Sequence, residues 1–155
     1  MCMAVKKTEL KRQLLQECLR IQNEQIQAAK TAMEEAQESA NEHHGAIEDK
    51  FESFREACQI QRDMYARQLD EAMSTLQILK RINSMKENSE IMLGSVVETD
   101  VQDFFISISL GAIKVNDKTY FAISAMSPLF KAMAGKSIGD TFGLRDKQYK
   151  IKNIY

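Results

Sequence analysis

The stretch Ser127-Pro128-Leu129-Phe130-Lys131-Ala132-Met133-Ala134-Gly135-Lys136-Ser137-Ile138-Gly139-Asp140 decides how the second half of this chain is read. Ser127 has the side chain that caps a helix, and Pro128 fits the first turn, where a backbone N–H would have no partner anyway. Gly135 can end that helix in the left-handed conformation, and Gly139-Asp140 turns the chain into the next strand. The stretch is therefore a short helix and a turn set between strands.

Strand patterns surround it. Residues 94–99 form a short strand that turns near Asp100, and residues 103–109 are rich in aromatic and β-branched side chains. Asn116-Asp117-Lys118 makes a turn between strands at 112–115 and 119–124. Beyond the helix, 128–134, segments 141–144 and 148–154 form a closing hairpin through Arg145-Asp146-Lys147. Five or six strands and one short helix in about 65 residues describe a compact α+β domain.

The first half is built differently. From Lys6 to Lys86 there is no Pro and one Gly, whereas the single Pro and the other five Gly lie beyond residue 90. The polar stretch Lys86-Glu87-Asn88-Ser89-Glu90 suits a linker. The expected division is 1–86, a linker at 87–91, and 92–155. Leu10, Leu14, Cys18, Ile21, Gln25, Ala28, Ala32 and Ala36 recur at steps of three or four. Phe51, Phe54, Cys58, Gln61, Tyr65, Leu69, Ala72, Leu76, Leu79 and Asn83 do the same. Bulky residues of the second helix meet small ones of the first if the two run antiparallel. Asn41-Glu42-His43-His44-Gly45 is where the chain can reverse, which puts the tip near 43–52. Each arm would be about 50 Å long or more at roughly 1.5 Å per residue. Such a pattern also suits a coiled coil that only joins two copies.

Whole-chain properties bound the function. A net charge of -1 argues against a general nucleic-acid binder. Cys2, Cys18 and Cys58 lack paired spacing, and free Cys on a helix face acts as a small hydrophobe, which fits a reducing cytoplasm. No apolar run approaches the roughly 20 residues needed to span a bilayer, and no apolar region comes after Lys6-Lys7 as in a secretion signal. His43-His44 has no partner at metal-ligand spacing, and no phosphate loop, nucleophile elbow or zinc knuckle occurs.

With Ser-Pro, a short apolar helix, Gly-Lys, two residues and Gly-Asp at this spacing, the 127–140 stretch resembles the C-terminal domain of the bacterial GreA/GreB transcript-cleavage factors. The resemblance covers the whole second half. It implies an N-terminal antiparallel two-helix coiled-coil hairpin followed by an FKBP-like antiparallel sheet with one short helix. It also implies a monomeric, cytoplasmic partner of bacterial RNA polymerase that enters the secondary channel. There it would stimulate cleavage of backtracked RNA by the polymerase, touching the nascent RNA 3′ end only indirectly and being no enzyme by itself. An FKBP-like sheet raises prolyl isomerisation as well, but fold alone does not carry that activity, and the chain has no Trp to line such a pocket.

In that family the hairpin tip reads Gly-Asp, two residues, Glu-Asn, and the resemblance implies that its acids do the work. The matching positions are Asp49 and Glu52, with Glu48 in place of the Gly and Ser53 in place of the Asn. Aligning Gly45 instead would leave Asp49 as the only acid. Three apart in the first turn of a helix, Asp49 and Glu52 share a face and suit the helix dipole, which is also a sufficient structural reason for them. Two carboxylates are too few to hold Mg²⁺ alone, so the implied Mg²⁺ is shared with RNA polymerase. Lys50, Arg55 and Arg62 are close enough in sequence to contact RNA or polymerase, or to be solvated flank residues. A channel-binding regulator without cleavage and a structural coiled-coil adaptor are the alternative functions.

Overall fold

The computed structural model describes residues 2–42 and 48–155, with side chains at 6–42 and 52–155. The chain forms α1 (Cys2–Glu42), α2 (Glu48–Lys80), β1 (Val96–Thr99), β2 (Asp103–Ser107), β3 (Gly111–Val115), β4 (Lys118–Ser124), α3 (Pro128–Met133), β5 (Thr141–Leu144) and β6 (Lys147–Ile154). It separates into two compact units, one of residues 21–76 and one that joins the residues up to Arg20 to Gln77–Tyr155. The division thus does not coincide with the composition change near residue 86. Both helix roots belong to the same unit as the sheet.

In the 21–76 unit the two helices run antiparallel, because partner numbers fall on α2 as they rise on α1. The Gln22 amide donates to the Ala72 carbonyl at 2.8 Å, and Arg62 Nη1 donates to Gln37 Oε1 at 2.7 Å. The buried stripe on α1 passes through Gln22, Ala36 and Ala40, with Ile26, Ala29 and Met33 half-buried. Gln25 and Ala28, expected in the seam, are exposed, as are Gln61 and Phe54 of α2. Steps of three and four allow two neighbouring stripes. The one realised lets Gln22 spend its amide on a carbonyl, since a buried polar group must be bonded.

In the other unit the sheet has six strands in the order β3-β4-β2-β1-β6-β5. The architecture is the helical hairpin and sheet with one short helix expected from sequence, with one correction. The sheet is mixed, because β2 and β4 pair in parallel, Asp103 opposite Tyr120 and Ser107 opposite Ser124. The chain leaves β2 through a short turn and runs back as the outer strand β3. The tight turn at Asn116 and Asp117, with φ of 52° and 62°, then lays β4 into the gap beside β2. Two left-handed residues are what a two-residue hairpin matched to strand twist requires.

Each sheet face is covered. On one, Val97, Phe104, Ile106, Phe142, Tyr149 and Ile151 form a core with Met133, and Leu129 and Phe130 of α3 pack against it. Phe142 stacks on Tyr149 with centroids 5.0 Å apart, and Phe104 meets the same ring edge-on. The opposite face carries Val96, Phe105, Ser107, Tyr120 and Ala122, all buried. Cys18 of α1 lies there, with Sγ 3.9 Å from Ser107 Oγ. In the same unit Leu14, Leu79 and Ile82 are buried, as is Lys11, whose ammonium donates to the Lys86 carbonyl at 2.6 Å.

Candidate functional site

The 127–140 segment is held as its residues require. Ser127 Oγ accepts the Phe130 N–H at 3.1 Å, Pro128 occupies the first turn, and α3 ends as Ala134 N–H donates back to the Phe130 carbonyl at 2.8 Å. Gly135 and Gly139 both take positive φ, 77° and 92°, a region costly to side chains. Asp140 Oδ2 accepts the Ser137 N–H at 2.8 Å and so closes the turn. Gly139 N–H donates to the Ile151 carbonyl, and Ile151 N–H to the Asp140 carbonyl, which knits the segment to β6. The side chains of Ser127 and Asp140 are both spent on backbone N–H groups. The segment shapes a surface and leaves Lys131, Lys136 and Ile138 exposed.

The acidic positions fall in the first two turns of α2. Asp49 and Lys50 belong to the helix, but their side chains, and the whole of His43-His44-Gly45, lie outside the described residues. Glu52 is exposed, and Arg55 is half-buried. Arg62 is committed within the helix pair: besides Gln37, its Nε and Nη2 donate to Asp63 Oδ1 at 3.0 and 2.6 Å. Gln37 Nε2 in turn donates to Asn41 Oδ1 at 3.2 Å. A groove of about 420 Å³ runs beside these residues, floored by Met33 and edged by Glu34 and Glu38. Among the described residues no group of three or more His, Cys, Asp or Glu could hold a metal ion. None of the described helices is long and apolar enough to cross a membrane.

A polar cluster that the sequence did not single out lies where β1, β2 and β4 come together. Asp103, nearly buried, accepts Lys118 Nζ at 2.6 Å and the Thr99 N–H at 3.3 Å. The Lys118 hydrogen bond to Asp103 holds that ammonium above its ordinary range. Beside it, the buried Tyr155 hydroxyl donates to Glu98 Oε1 at 2.8 Å, and burial, then Glu98, pushes its ionisation far up. The cluster edges a groove of about 660 Å³. Asp103 is paired with Lys118 and Glu98 is bonded to Tyr155, so these side chains tie the sheet together. The signal in the sequence is an Asp opening an otherwise apolar strand.

No family model matches the chain, and no curated protein matches it. Among solved structures it is similar to GreA factor homolog 1 (Gfh1) of Thermus thermophilus. The identity is 23%, over 91% of this chain and 92% of that chain, with a TM-score of 0.34. A second structure, of the transcription factor Gfh1, is 22% identical over 91% and 90%, with a TM-score of 0.33.

Proposed function

We propose that this protein is an RNA polymerase-binding transcription elongation factor of the GreA/GreB kind, which inserts its hairpin tip into the secondary channel and stimulates cleavage of backtracked RNA. The observation that carries the reading is the 127–140 segment. Its Ser cap, Pro, short helix, two left-handed glycines and Gly-Asp turn are each used for the backbone purpose their spacing implies. An antiparallel helix pair in the same chain supports it.

On this reading the sheet unit grips the polymerase, and the chain contributes carboxylate oxygens from Asp49 and Glu52. The donors fit a hard cation: they are oxygens, three apart on one helix face, and Glu52 is open to an incoming partner. Mg²⁺, completed by the polymerase, would supply Lewis acidity at the phosphodiester and an activated water. The chain's own part is to orient that water and to accept its proton on a carboxylate oxygen. Lys50 and Arg55 would lie beside the RNA 3′ end.

A halted, backtracked elongation complex in Mg²⁺ tests this. Added protein should shorten the RNA, and an Asp49→Ala, Glu52→Ala variant should bind equally but fail to shorten it. Retained cleavage by that variant would assign the work to other residues. Polymerase binding without shortening by the wild type would favour the second reading, a channel-binding regulator, which Glu48 and Ser53 at the tip already suit. No binding would leave a structural adaptor.

A further inference from the structure

We infer that Arg62 and Gln37 are a positioning pair that sets the axial register of the helix hairpin toward its tip, in place of the RNA contact that the sequence suggested for Arg62. The inference rests on the proposed function for its consequence but not for its geometry. Among the described residues the fully buried seam near this end is made of Ala36, Ala40 and Cys58, with Met33 half-buried beside them. Those three small side chains bury little apolar area and by themselves resist sliding of one helix along the other only weakly. A directional bond does resist it. Arg62 Nη1 reaches across to Gln37 Oε1 at 2.7 Å, while Asp63 holds the other edge of the guanidinium. Gln37 passes the constraint along α1 to Asn41, one residue before the helix ends. Asp63 offsets the charge of Arg62 and fixes its rotamer, so the fork meets Gln37 pre-oriented.

Helix geometry sets the consequence. Slippage by a single turn would displace the start of α2 by about 5.4 Å along its axis. A misplacement of about 1 Å is enough to cost reactivity where a group must meet a reacting centre. Arg62 and Gln37 would therefore govern the rate of cleavage rather than the affinity for polymerase.

Two measurements decide it. In the isolated full chain, Arg62→Ala and Gln37→Ala should each speed amide hydrogen exchange over residues 33–42 and 52–62 by about tenfold, the size of one lost charge-assisted bond. The double variant should be no faster than either single, and Gln37→Glu should restore slow exchange. Exchange within twofold of wild type in either single variant overturns the pairing. With the backtracked complex, both singles and the double should cleave about tenfold more slowly at unchanged polymerase affinity, and Gln37→Glu should cleave like wild type. Slow cleavage by Arg62→Ala with a silent Gln37→Ala would return Arg62 to an RNA contact and overturn the positioning role. If the wild-type protein does not stimulate cleavage, the proposed function fails, and the exchange result still decides the pairing.

Discussion

Replacing Lys11 by Met should remove a pH dependence of stability that the packing around its ammonium creates. Lys11 is 1% exposed. Burial brings its ammonium down from 10.5 to about 8, against the pull of the Glu87 carboxylate and with a smaller push from Lys86. The unfolded chain keeps this proton up to about pH 10.5, whereas the folded chain releases it near pH 8. Between those values the unfolded state binds more protons, so stability rises with pH. At about 1.4 kcal/mol per tenfold difference in proton affinity, the rise from pH 7 to pH 10 is about 2 to 3 kcal/mol. The neutral amine still donates to the Lys86 carbonyl, so no bond is lost as the proton leaves. Lys11→Met keeps the length of the apolar stem and cannot titrate. At pH 7 the relief of a buried ammonium and the loss of its hydrogen bond roughly offset each other, leaving a change under about 2 kcal/mol. Urea unfolding of both proteins at pH 7, 8, 9 and 10, monitored by circular dichroism, isolates the effect, because all other groups titrate in both. The wild type should gain about 2 to 3 kcal/mol on the variant across the series. Parallel stability curves from pH 7 to 10 would refute the reasoning.

The Cys18 thiol gives the opposite sign. Burial pushes it from 9.0 to about 11, with Ser107 opposing, so the unfolded thiol ionises first and stability falls as pH rises past 9. In the same urea series Cys18→Ala should lose about 1 kcal/mol less than wild type between pH 8 and pH 10. Ser127→Ala should cost about 1 kcal/mol at neutral pH, read as a lower urea midpoint, because it frees the Phe130 N–H.

Strands and helices were legible where side chains enforce a period. Phe104, Ile106, Tyr149 and Ile151 alternate with their neighbours toward one core, and the Asn116-Asp117 turn announces itself by residue type. That β4 would lie parallel to β2 was not legible, since alternation marks a strand without naming its neighbours. The stripe on α1 was misplaced by one residue because neighbouring positions both offer the spacing, Gln25, Ala28 and Ala32 on one stripe and Ile26, Ala29 and Met33 on the next. The polar Gln22 that opens the second obscured it. The partners of Lys11 and Arg62 were not legible because they are remote in sequence, a carbonyl 75 residues away for one and an amide 25 away for the other. The candidate acids were legible as a spacing, Asp49 and Glu52, and the chemistry assigned to that spacing came from the likeness of 127–140 to a family motif.

The division of the chain into units also bears on the order in which it folds. Residues 21–76 can close on themselves as soon as they are synthesised, whereas the sheet unit must wait for β6, whose last residues pair with β1. Were residues 21–76 a slack connection, bringing the two parts of the sheet unit together across them would cost about 3 to 4 kcal/mol of chain entropy. The helix pair instead brings its own ends together, with Gln22 bonded at Ala72, so that most of this cost is met before the sheet forms. Cutting away the residues up to Arg20 would then do more than shorten a helix. It would delete Leu14 and Cys18 from a buried wall of the sheet unit and remove the half of the staple that lets a late strand find an early helix.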